Sequence, residues 1–245
     1  MAFASGCVLL TLNSDDYSVM NATSSPQPEV QAAPAKKPVA AVKPKAKGSA
    51  QLFQNPVLER LTHTHIAGPL SIFFAVAAVS LYYSLSRGLL TGLSAFGLFL
   101  GGWLLFTLAE YLVHRYVYHI EPSTPGRAKF QYTMHGVHHE YPKDKTRLAM
   151  PPILTVFVAS LLFFIFRFTF GNAGFGILAG FVFGYALYLF VHYAIHMYAP
   201  PKNFLKFWWH HHAMHHYRQE DEAFGVSTTL WDHIIGTMPS RQPKK

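Results

Sequence analysis

Two long stretches of the chain are almost free of charge, and they constrain the fold more than any other feature of the sequence. Between Ile66 and Ala109 the only charged residue is Arg87, and between Ala149 and Pro201 the only one is Arg167. A helix needs roughly 20 apolar residues to cross the ~30 Å hydrocarbon core of a bilayer. Each stretch is long enough for two such helices, so the sequence predicts two membrane-spanning helical hairpins.

The hairpins can be placed from the apolar runs and the glycines between them. We predict spans near residues 67–86, 89–108, 151–170 and 173–194, with turns at Arg87-Gly88 and Gly171-Asn172. Charged residues make up 13% of the chain, about half of the ~25% usual in soluble domains. A soluble all-α protein is therefore the disfavoured alternative, and a nucleic-acid-binding module is argued against. The single cysteine, Cys7, excludes a disulfide framework and any cysteine-based zinc site.

Lysine and arginine lie almost entirely on one side of these spans. All but Arg87 and Arg167 precede the first span, lie between the second and third, or follow the fourth. By the positive-inside rule these three segments are cytoplasmic. Residues 1–50 are rich in Ala, Pro and Lys and bury too little apolar surface to offset their ordering entropy, so we expect a disordered tail. The membrane domain is then residues 51–245.

The chain has 15 histidines, and most of them gather where it leaves the membrane on the predicted cytoplasmic side. Four motifs, HxxxxH, HxxHH, HxxxH and HxxHH, contain His114, His119, His135, His138, His139, His192, His196, His212, His215 and His216. Because positions i, i+3 and i+4 share a helix face, we expect each HxxHH to direct three imidazoles toward one point. His114 and His119 diverge by about 140° on an ideal helix. They need a bend at the helix end, or they bind different metals.

This pattern of histidines predicts a site for two metal ions. Neutral imidazole suits iron, zinc, copper and nickel, and ten ligands are too many for one ion. We therefore expect an all-α integral membrane protein with four transmembrane helices in two hairpins, and a cytoplasmic helical cap that holds a His-rich di-metal site. A membrane zinc protease is disfavoured because the sequence has no HExxH motif.

At these motifs the chain resembles the fatty acid hydroxylase/sterol desaturase superfamily of membrane di-metal enzymes, and most closely the fatty acid 2-hydroxylases of sphingolipid metabolism. The likeness is carried by EYLVHRYVYH, MHGVHHEYPKDKTRLAMPP, HYAIH and HHAMHHYRQEDEAFGVSTTLWDHIIGT, and it covers about residues 55–240. The resemblance implies that the ten histidines above are metal ligands, whereas His210 and His211 fall outside the pattern. It also implies two iron ions, with zinc as an alternative occupant in purified protein, and O₂ as co-substrate.

The implied reaction is the insertion of a hydroxyl at C-2 of a fatty acyl chain, carried by a sphingolipid or ceramide or present as its fatty acid. Within the superfamily, a sterol desaturase, a sterol methyl oxidase and a carotenoid hydroxylase are the alternatives. Outside it, the alternative is a metal transporter or sequestering protein. Transporters place ligands near the bilayer midplane, and the first three predicted spans contain no histidine.

The electron supply and the location follow from the same resemblance. Many relatives carry an N-terminal cytochrome b5 domain, but this sequence has no HPGG haem motif and residues 1–50 have too few apolar residues to fold one. We therefore expect an external electron donor of the cytochrome b5/reductase or ferredoxin type. The expected membrane is the endoplasmic reticulum in a eukaryotic host and the inner membrane in a bacterial one.

Four further residues are candidates for supporting roles around the site. Glu110 precedes His114 by one helical turn, and Asp232 adjoins His233, so both carboxylates are candidates for orienting ligand imidazoles. A plain polar role at the helix end is the alternative for Glu110. Tyr193 and Tyr217 each neighbour a proposed ligand and are candidates for lining a substrate channel. An aromatic belt at the membrane interface is the alternative role for the two tyrosines.

Overall fold

The computed structural model describes residues 44–240, which form α-helices joined by loops and contain no β-strand. The helices are α1 Pro56–Leu61, α2 Ala67–Ser86, α3 Gly92–Val113, α4 Pro125–Gln131, α5 Val137–Glu140, α6 Pro152–Phe170, α7 Ala173–Met197, α8 Lys206–Tyr217 and α9 Leu230–Ile235. Two π-helical turns accompany them: His114–Tyr118 continues α3, and Tyr132–Gly136 joins α4 to α5. Most of the predicted tail, residues 1–43, lies outside the described residues.

Four helices are long and apolar enough to cross a membrane: α2, α3 with its π-helical turn, α6 and α7. The predicted spans match α2 and α6 to within one residue. The second predicted span begins three residues too early, because Thr91 caps α3. Its hydroxyl accepts the N–H of Ser94 at 3.2 Å, and the hydroxyl of Ser94 accepts the N–H of Thr91 at 2.9 Å. This reciprocal capping box fixes the first helical residue as Gly92.

Both predicted hairpin turns are present and both use glycine in a left-handed conformation. Gly88 has φ 64° and Gly171 has φ 58°, values that residues with a Cβ adopt only at a cost. The turns lie at the end of the bundle opposite the histidines. The first and the second pair of spans are therefore tight hairpins, as the sequence predicts.

Helix α7 forms the centre of the bundle and packs against α2, α3 and α6. Its contact with α3 is made backbone to backbone: a Cβ on Gly180 would lie 1.9 Å from the carbonyl oxygen of Phe99, and one on Gly102 would lie 2.1 Å from that of Ile177. Small residues at such crossings are typical of membrane helices. The outer faces are apolar and exposed, with Leu93 and Phe168 more than 80% exposed, as expected of surfaces that face lipid.

Helices α4, α5, α8 and α9 lie in a cap, residues 119–148 and 198–240, at the end of the bundle where α3 and α7 finish. A strap, residues 44–64, leads into α2 and packs on this cap. Lys45 forms an ion pair with Glu140 at 2.5 Å, and Arg147 bonds Glu59 at 2.5 Å and the carbonyl oxygen of Ala50 at 2.7 Å. The domain boundary at residue 50 stays a prediction, although residues 44–50 already make these contacts.

Candidate metal centre

The ten predicted histidines lie together as two clusters of five. The first cluster is His114, His119, His135, His139 and His215, and the second cluster is His138, His192, His196, His212 and His216. Within each cluster one ring nitrogen per residue lies within 4.8 Å of every other, and no carboxylate or thiolate belongs to either. Two all-histidine sites therefore sit where the ends of α3 and α7 meet the cap.

The π-helical turn at the end of α3 explains how His114 and His119 reach the same cluster. The N–H of His119 bonds the carbonyl oxygen of His114, five residues earlier, at 3.2 Å. This wider turn brings the two ring centroids to 5.2 Å, whereas an α-helix would point the rings well apart. Of the two possibilities that the spacing left, a bend at the helix end is the one observed.

Each HxxHH motif serves both clusters, and the expectation that its three imidazoles converge on one point was wrong. His135 and His139 belong to the first cluster, whereas His138 belongs to the second. The second motif mirrors this arrangement, with its middle histidine, His215, in the first cluster. Helix positions i+3 and i+4 diverge by about 100°, so adjacent histidines point to different centres. The two motifs thereby hold the clusters side by side.

Inside each cluster the imidazoles approach one another through their Nε2 atoms. His139 Nε2 lies 2.9 Å from His135 Nε2 in the first cluster, and His196 Nε2 lies 2.9 Å from His212 Nε2 in the second. Two nitrogens bound at 2.0–2.1 Å to one ion and at right angles to each other are about 3 Å apart. The spacing of these atoms is therefore that of ligands sharing an ion.

The protonation of two rings supports this interpretation. His114 Nδ1 lies 2.6 Å from the carbonyl oxygen of Phe224, and His215 Nδ1 lies 2.7 Å from that of Glu222. Since a carbonyl can only accept, Nδ1 carries the hydrogen and Nε2 of the neutral ring carries the lone pair. Each of these lone pairs points at another histidine of the first cluster, an arrangement that a cation between them stabilises.

Burial keeps the clustered histidines of the cap neutral at physiological pH. Desolvation, followed by repulsion from neighbouring histidines, lowers the pKa of His119 to about 2 and that of His139 to about 3. For the same reasons the pKa values of His138 and His215 lie well below 6.5. Neutral imidazoles with converging lone pairs fit the divalent ions of iron, zinc, copper or nickel, so the residues present suit the two-metal site that the sequence predicts.

One loop, residues 222–227, supplies both carbonyl oxygens that orient the first cluster. Its second residue, Ala223, is fully buried and has φ 60°, a left-handed conformation uncommon outside glycine. This conformation directs the carbonyls of Glu222 and Phe224 toward His215 and His114. The N–H of Ala223 bonds the carbonyl oxygen of Thr237 at 2.8 Å, which fixes the loop from behind.

Glu110 holds this loop and contacts none of the ten histidines by a hydrogen bond. Its Oε1 accepts the N–H groups of Val226 at 2.7 Å and Ser227 at 2.8 Å, and its Oε2 accepts the hydroxyl of Ser227. The expected direct contact with a ligand imidazole is therefore not made. The carboxylate instead joins the end of α3 to the loop that orients His114.

Asp232 acts on the same loop from α9. Its carboxylate accepts the N–H groups of Phe224 at 2.9 Å and Gly225 at 2.8 Å, and its one imidazole partner, His211 at 3.3 Å, is not a predicted ligand. Burial pushes the pKa of Asp232 up, but hydrogen bonds from His211, Thr237 and Gly225 outweigh it and hold the pKa below 3.8. Asp232 is thus an ionised anchor of the loop rather than a direct partner of a proposed ligand.

Two cavities reach the clusters from the membrane side. The surface cavity, about 300 Å³, reaches His135, His138 and His192, and the bilayer cavity, about 230 Å³, reaches His114 between α3, α6 and α7. Both are lined by three tyrosines that the sequence analysis did not select, namely Tyr118, Tyr185 and Tyr188.

The predicted channel residues, Tyr193 and Tyr217, line neither of these cavities. Tyr217 is 56% exposed and Tyr193 packs against the apolar core. Two of the lining tyrosines could have been found from their sequence positions relative to the histidine motifs. Tyr118 adjoins His119 in sequence, and Tyr188 precedes His192 by four residues, which places it on the same face of α7.

The chain is similar to proteins of one enzyme family. The family model of the fatty acid hydroxylases matches residues 99–237, a range that includes all ten histidines. The dihydroceramide fatty acyl 2-hydroxylase FAH2 of Arabidopsis thaliana is 32% identical over 191 residues, covering 77% of this chain and 80% of the plant protein. The human fatty acid 2-hydroxylase is 34% identical, covering 60% of this chain but only 41% of its own length.

A solved structure shows the same fold. The full-length scs7p structure, in which only the hydroxylase domain is visible, superposes with a TM-score of 0.72 at 31% identity and covers 81% of this chain and 76% of that chain. A Saccharomyces cerevisiae relative, the ceramide very long chain fatty acid hydroxylase SCS7, is 34% identical over 198 residues. The four long helices and the histidine-bearing end are thus shared with a ceramide hydroxylase.

Proposed function

Because the chain belongs to the fatty acid hydroxylase family and is thereby an oxidoreductase, we propose that it inserts one oxygen atom of O₂ at C-2 of a fatty acyl chain. The acyl chain is that of a ceramide or another sphingolipid, or its fatty acid. One observation carries the proposal: two five-histidine clusters adjoin apolar space that opens among membrane-spanning helices. The names of the relatives point to the same class of lipid.

The ten clustered histidines are the proposed ligands of two iron ions, with zinc as an alternative occupant of purified protein. When bound, the iron ions supply the oxidising power that no side chain has. The protein's own contribution is to hold ten neutral nitrogen donors in place. Loop 222–227, with Glu110 and Asp232 behind it, keeps Nδ1 of His114 and His215 protonated, which leaves their Nε2 lone pairs free to bind.

The stoichiometry of the proposed reaction requires an electron donor. One oxygen atom replaces the hydrogen of a C–H bond as a hydroxyl group, and the other leaves as water, which consumes two electrons and two protons. We propose an external donor of the cytochrome b5/reductase or ferredoxin type. A surface depression of about 570 Å³ reaches His119 and is lined by Arg115 and Glu220 among others, and it shares no lining residue with the bilayer cavity. It gives the donor and protons an approach that the lipid does not use.

We further propose that the cap faces the cytoplasm. Within residues 44–240, all lysines and arginines other than Arg87 and Arg167 lie in the strap, in the cap or at the cap end of α3, and the positive-inside rule assigns such a side to the cytoplasm. The donor then acts from the cytoplasm, at the endoplasmic reticulum in a eukaryotic host or at the inner membrane in a bacterial one.

The proposal is tested by expressing the chain with an electron-donor system in cells that lack 2-hydroxylated lipids. Under ¹⁸O₂, we expect mass spectrometry to find 2-hydroxy acyl chains in sphingolipids carrying one ¹⁸O atom. His138→Ala and His215→Ala, which each remove one proposed ligand from a different cluster, should abolish the product. Oxidised sterols or carotenoids in place of 2-hydroxy acyl chains would contradict the substrate assignment. A new hydroxyl group without ¹⁸O, and thus derived from water, would contradict the use of O₂.

A further inference from the structure

The surface cavity and the bilayer cavity meet at three tyrosines beside the histidine clusters. Tyr118, Tyr185 and Tyr188 line both cavities. The ring of Tyr118 stacks on His135 at a centroid distance of 5.1 Å, and that of Tyr188 stacks on His192 at 5.4 Å. The junction of the two cavities is therefore held directly against both clusters.

The two cavities differ in chemistry. The surface cavity includes Thr62, Thr133 and Arg147 in its wall and lies under the strap, at the level of the cap. The bilayer cavity is lined mainly by apolar side chains of α3, α6 and α7, such as Val113, Leu162 and Phe181. Helices α3 and α6 both pack on α7 but barely on each other. This cavity consequently lies in a gap between two membrane-spanning helices.

The hydroxyl groups at the junction have unused hydrogen-bonding capacity. Within residues 44–240, the hydroxyls of Tyr118, Tyr185 and Tyr188 make no hydrogen bond to the protein. All three residues are at least partly buried. Their hydroxyl oxygens are accessible rather than enclosed, since none is among the fully buried polar atoms without a partner, so all three can bond a polar group of a ligand that enters these cavities.

We propose that the two cavities form one lipid path that bends at the three tyrosines, with the polar head of the substrate in the surface cavity and the acyl chain in the bilayer cavity. The tyrosine hydroxyls donate to the acyl carbonyl oxygen at the bend. The inference rests on the proposed function and deepens it, because it names the residues that select the carbon to be hydroxylated.

Fixing the carbonyl is what distinguishes C-2 from the other carbons of the chain. Methylene groups along an acyl chain are chemically alike, and an apolar cavity alone lets the chain slide. C-2 is bonded to the carbonyl carbon, so a carbonyl held beside the stacked His135 and His192 places C-2 next to the clusters. The hydroxyl donors thus set the register of the chain, that is, which of its carbons lies beside the clusters.

Replacing tyrosine by phenylalanine tests the register directly. Tyr118→Phe, Tyr185→Phe and Tyr188→Phe keep the ring stacking and remove only the hydroxyl group. The position of hydroxylation is measured by mass spectrometry of the released hydroxy acids. We expect the ratio of C-2 to C-3 and more distant products to fall by about 2- to 12-fold for each lost hydrogen bond, with unchanged metal content.

Tyr83→Phe is the matched control, since Tyr83 packs on Phe175 toward the opposite end of the bundle and should retain the wild-type product. If all three junction variants also retained strict C-2 hydroxylation at the wild-type rate, the tyrosines would have no part in the register. That result would overturn the inference and leave the proposed 2-hydroxylase activity intact.

A bulkier residue in the bilayer cavity tests where the chain lies. Leu162→Trp narrows this cavity, whereas Leu161→Trp makes the same change on the lipid-facing side of α6, where Leu161 is 48% exposed. With a mixture of acyl lengths, Leu162→Trp should lower the ratio of product from the longest chains to product from shorter chains by about tenfold or more. An equal effect of the two variants would place the chain elsewhere.

Photocrosslinking separates this inference from the proposed function. A ceramide with a diazirine on its acyl chain should label Val158 or Leu162 of α6. Unmodified ceramide should compete with this labelling, and the labelling should not require turnover. Labelling confined to the groove that Val76 and Phe163 line between α2 and α6 would overturn the path. Failure of the wild-type protein to form any 2-hydroxy lipid would contradict the function itself, whatever residues are labelled.

Discussion

Ala223 shows how one backbone conformation can control a cluster of histidines. It is fully buried, and its left-handed φ of 60° directs the flanking carbonyls of Glu222 and Phe224 to His215 and His114. Residues at metal sites that orient ligands in this indirect way typically change metal affinity 10- to 100-fold when they are replaced. The side chain of Ala223 does no chemistry, and its contribution is the angle of its backbone.

We predict that Ala223→Val weakens metal binding in the first cluster by roughly 10- to 100-fold, because a β-branched residue rarely adopts positive φ. Ala223→Gly is the control, since glycine adopts this conformation freely and should stay within a few-fold of wild type. The measurement is a chelator competition that follows the loss of the first and second ion. Equal affinities for the two variants would show that the loop conformation does not control the cluster.

The site could be predicted in part from single residues. The ten histidines were identifiable because their spacing in four motifs is itself the signal. Their division into two clusters was not, because the HxxHH spacing places three imidazoles on one broad helix face and does not show that the adjacent pair, about 100° apart, reaches different centres. Ala223 gave no signal at all, since an alanine becomes important only through a φ angle that the sequence does not display. Tyr185 was missed because it precedes His192 by seven residues, two helical turns, and adjoins none of the histidine motifs.

At the scale of elements, the contact between α3 and α7 depends on glycine. At Gly180 a Cβ would meet the carbonyl oxygen of Phe99 at 1.9 Å, whereas at Gly97 of α3 there is open space within 4 Å. The close approach matters for the site, because α3 carries His114 and α7 carries His192. The two helices must therefore keep a fixed separation.

We predict that Gly180→Ala destabilises the bundle by about 1–3 kcal/mol, the usual cost of overpacking a tight core. Gly97→Ala should be neutral or stabilising by up to about 1 kcal/mol, because alanine is the better helix former. Thermal unfolding of both variants in the same detergent measures the difference. If the Gly180→Ala protein unfolded at the same temperature as the Gly97→Ala protein, the close backbone contact at Gly180 would be contradicted.

The strap is a second element whose contribution to stability should depend on pH in a measurable way. Burial raises the pKa of Glu59, but the N–H groups of Phe53 and Leu52 and the guanidinium of Arg147 outweigh it and lower the pKa from 4.5 to about 2. A depressed carboxylate pKa stabilises the folded state above the ordinary pKa, and this contribution is lost as the pH falls through the folded value. The strap should therefore loosen between about pH 5 and pH 2.

We predict that the amides of Leu52 and Phe53, which both donate to Glu59 at 2.9 Å, lose protection from hydrogen exchange over this range. In Glu59→Gln, protection should be lower at neutral pH and nearly independent of pH, because the side chain no longer titrates. Protection factors corrected for the intrinsic rate make the comparison. Identical pH profiles for the two proteins would exclude Glu59 as the group that holds the strap.

The long helices were the most predictable elements of the fold. A run without charge is a direct consequence of crossing a bilayer, so α2 and α6 could be located almost to the residue. The end of α3 could not, because an α-helix and a π-helical turn differ only in which carbonyl accepts the N–H of His119. The cap helices are short and depend on contacts with the rest of the molecule.

At the scale of the whole molecule, the orientation in the membrane is set by where the positive charge lies. Arg87 and Arg167 are the exceptions to an otherwise one-sided distribution of lysine and arginine. The cap end carries the histidine clusters, so the orientation also decides from which compartment electrons arrive. From the positive-inside rule we propose that this compartment is the cytoplasm.

We predict that Arg87→Cys, in a Cys7→Ser background expressed in a bacterial inner membrane, reacts with an impermeant thiol reagent in intact cells or sealed right-side-out vesicles. Lys129→Cys, in α4 of the cap, should react only after permeabilisation. Both variants should label equally in detergent, which controls for reactivity. The reverse pattern would place the cap on the far side and exclude a cytoplasmic electron donor.

The central claim is that two clusters of five histidines each hold one metal ion, and metal analysis of anaerobically purified protein tests it most directly. We expect two ions per chain, with iron in the active form. The count should fall to about one when either His119 and His139 or His192 and His196 are replaced by alanine, and should stay at two in the exposed control His210→Ala. A single ion in the wild-type chain, or a count that neither pair of substitutions changes, would contradict the account.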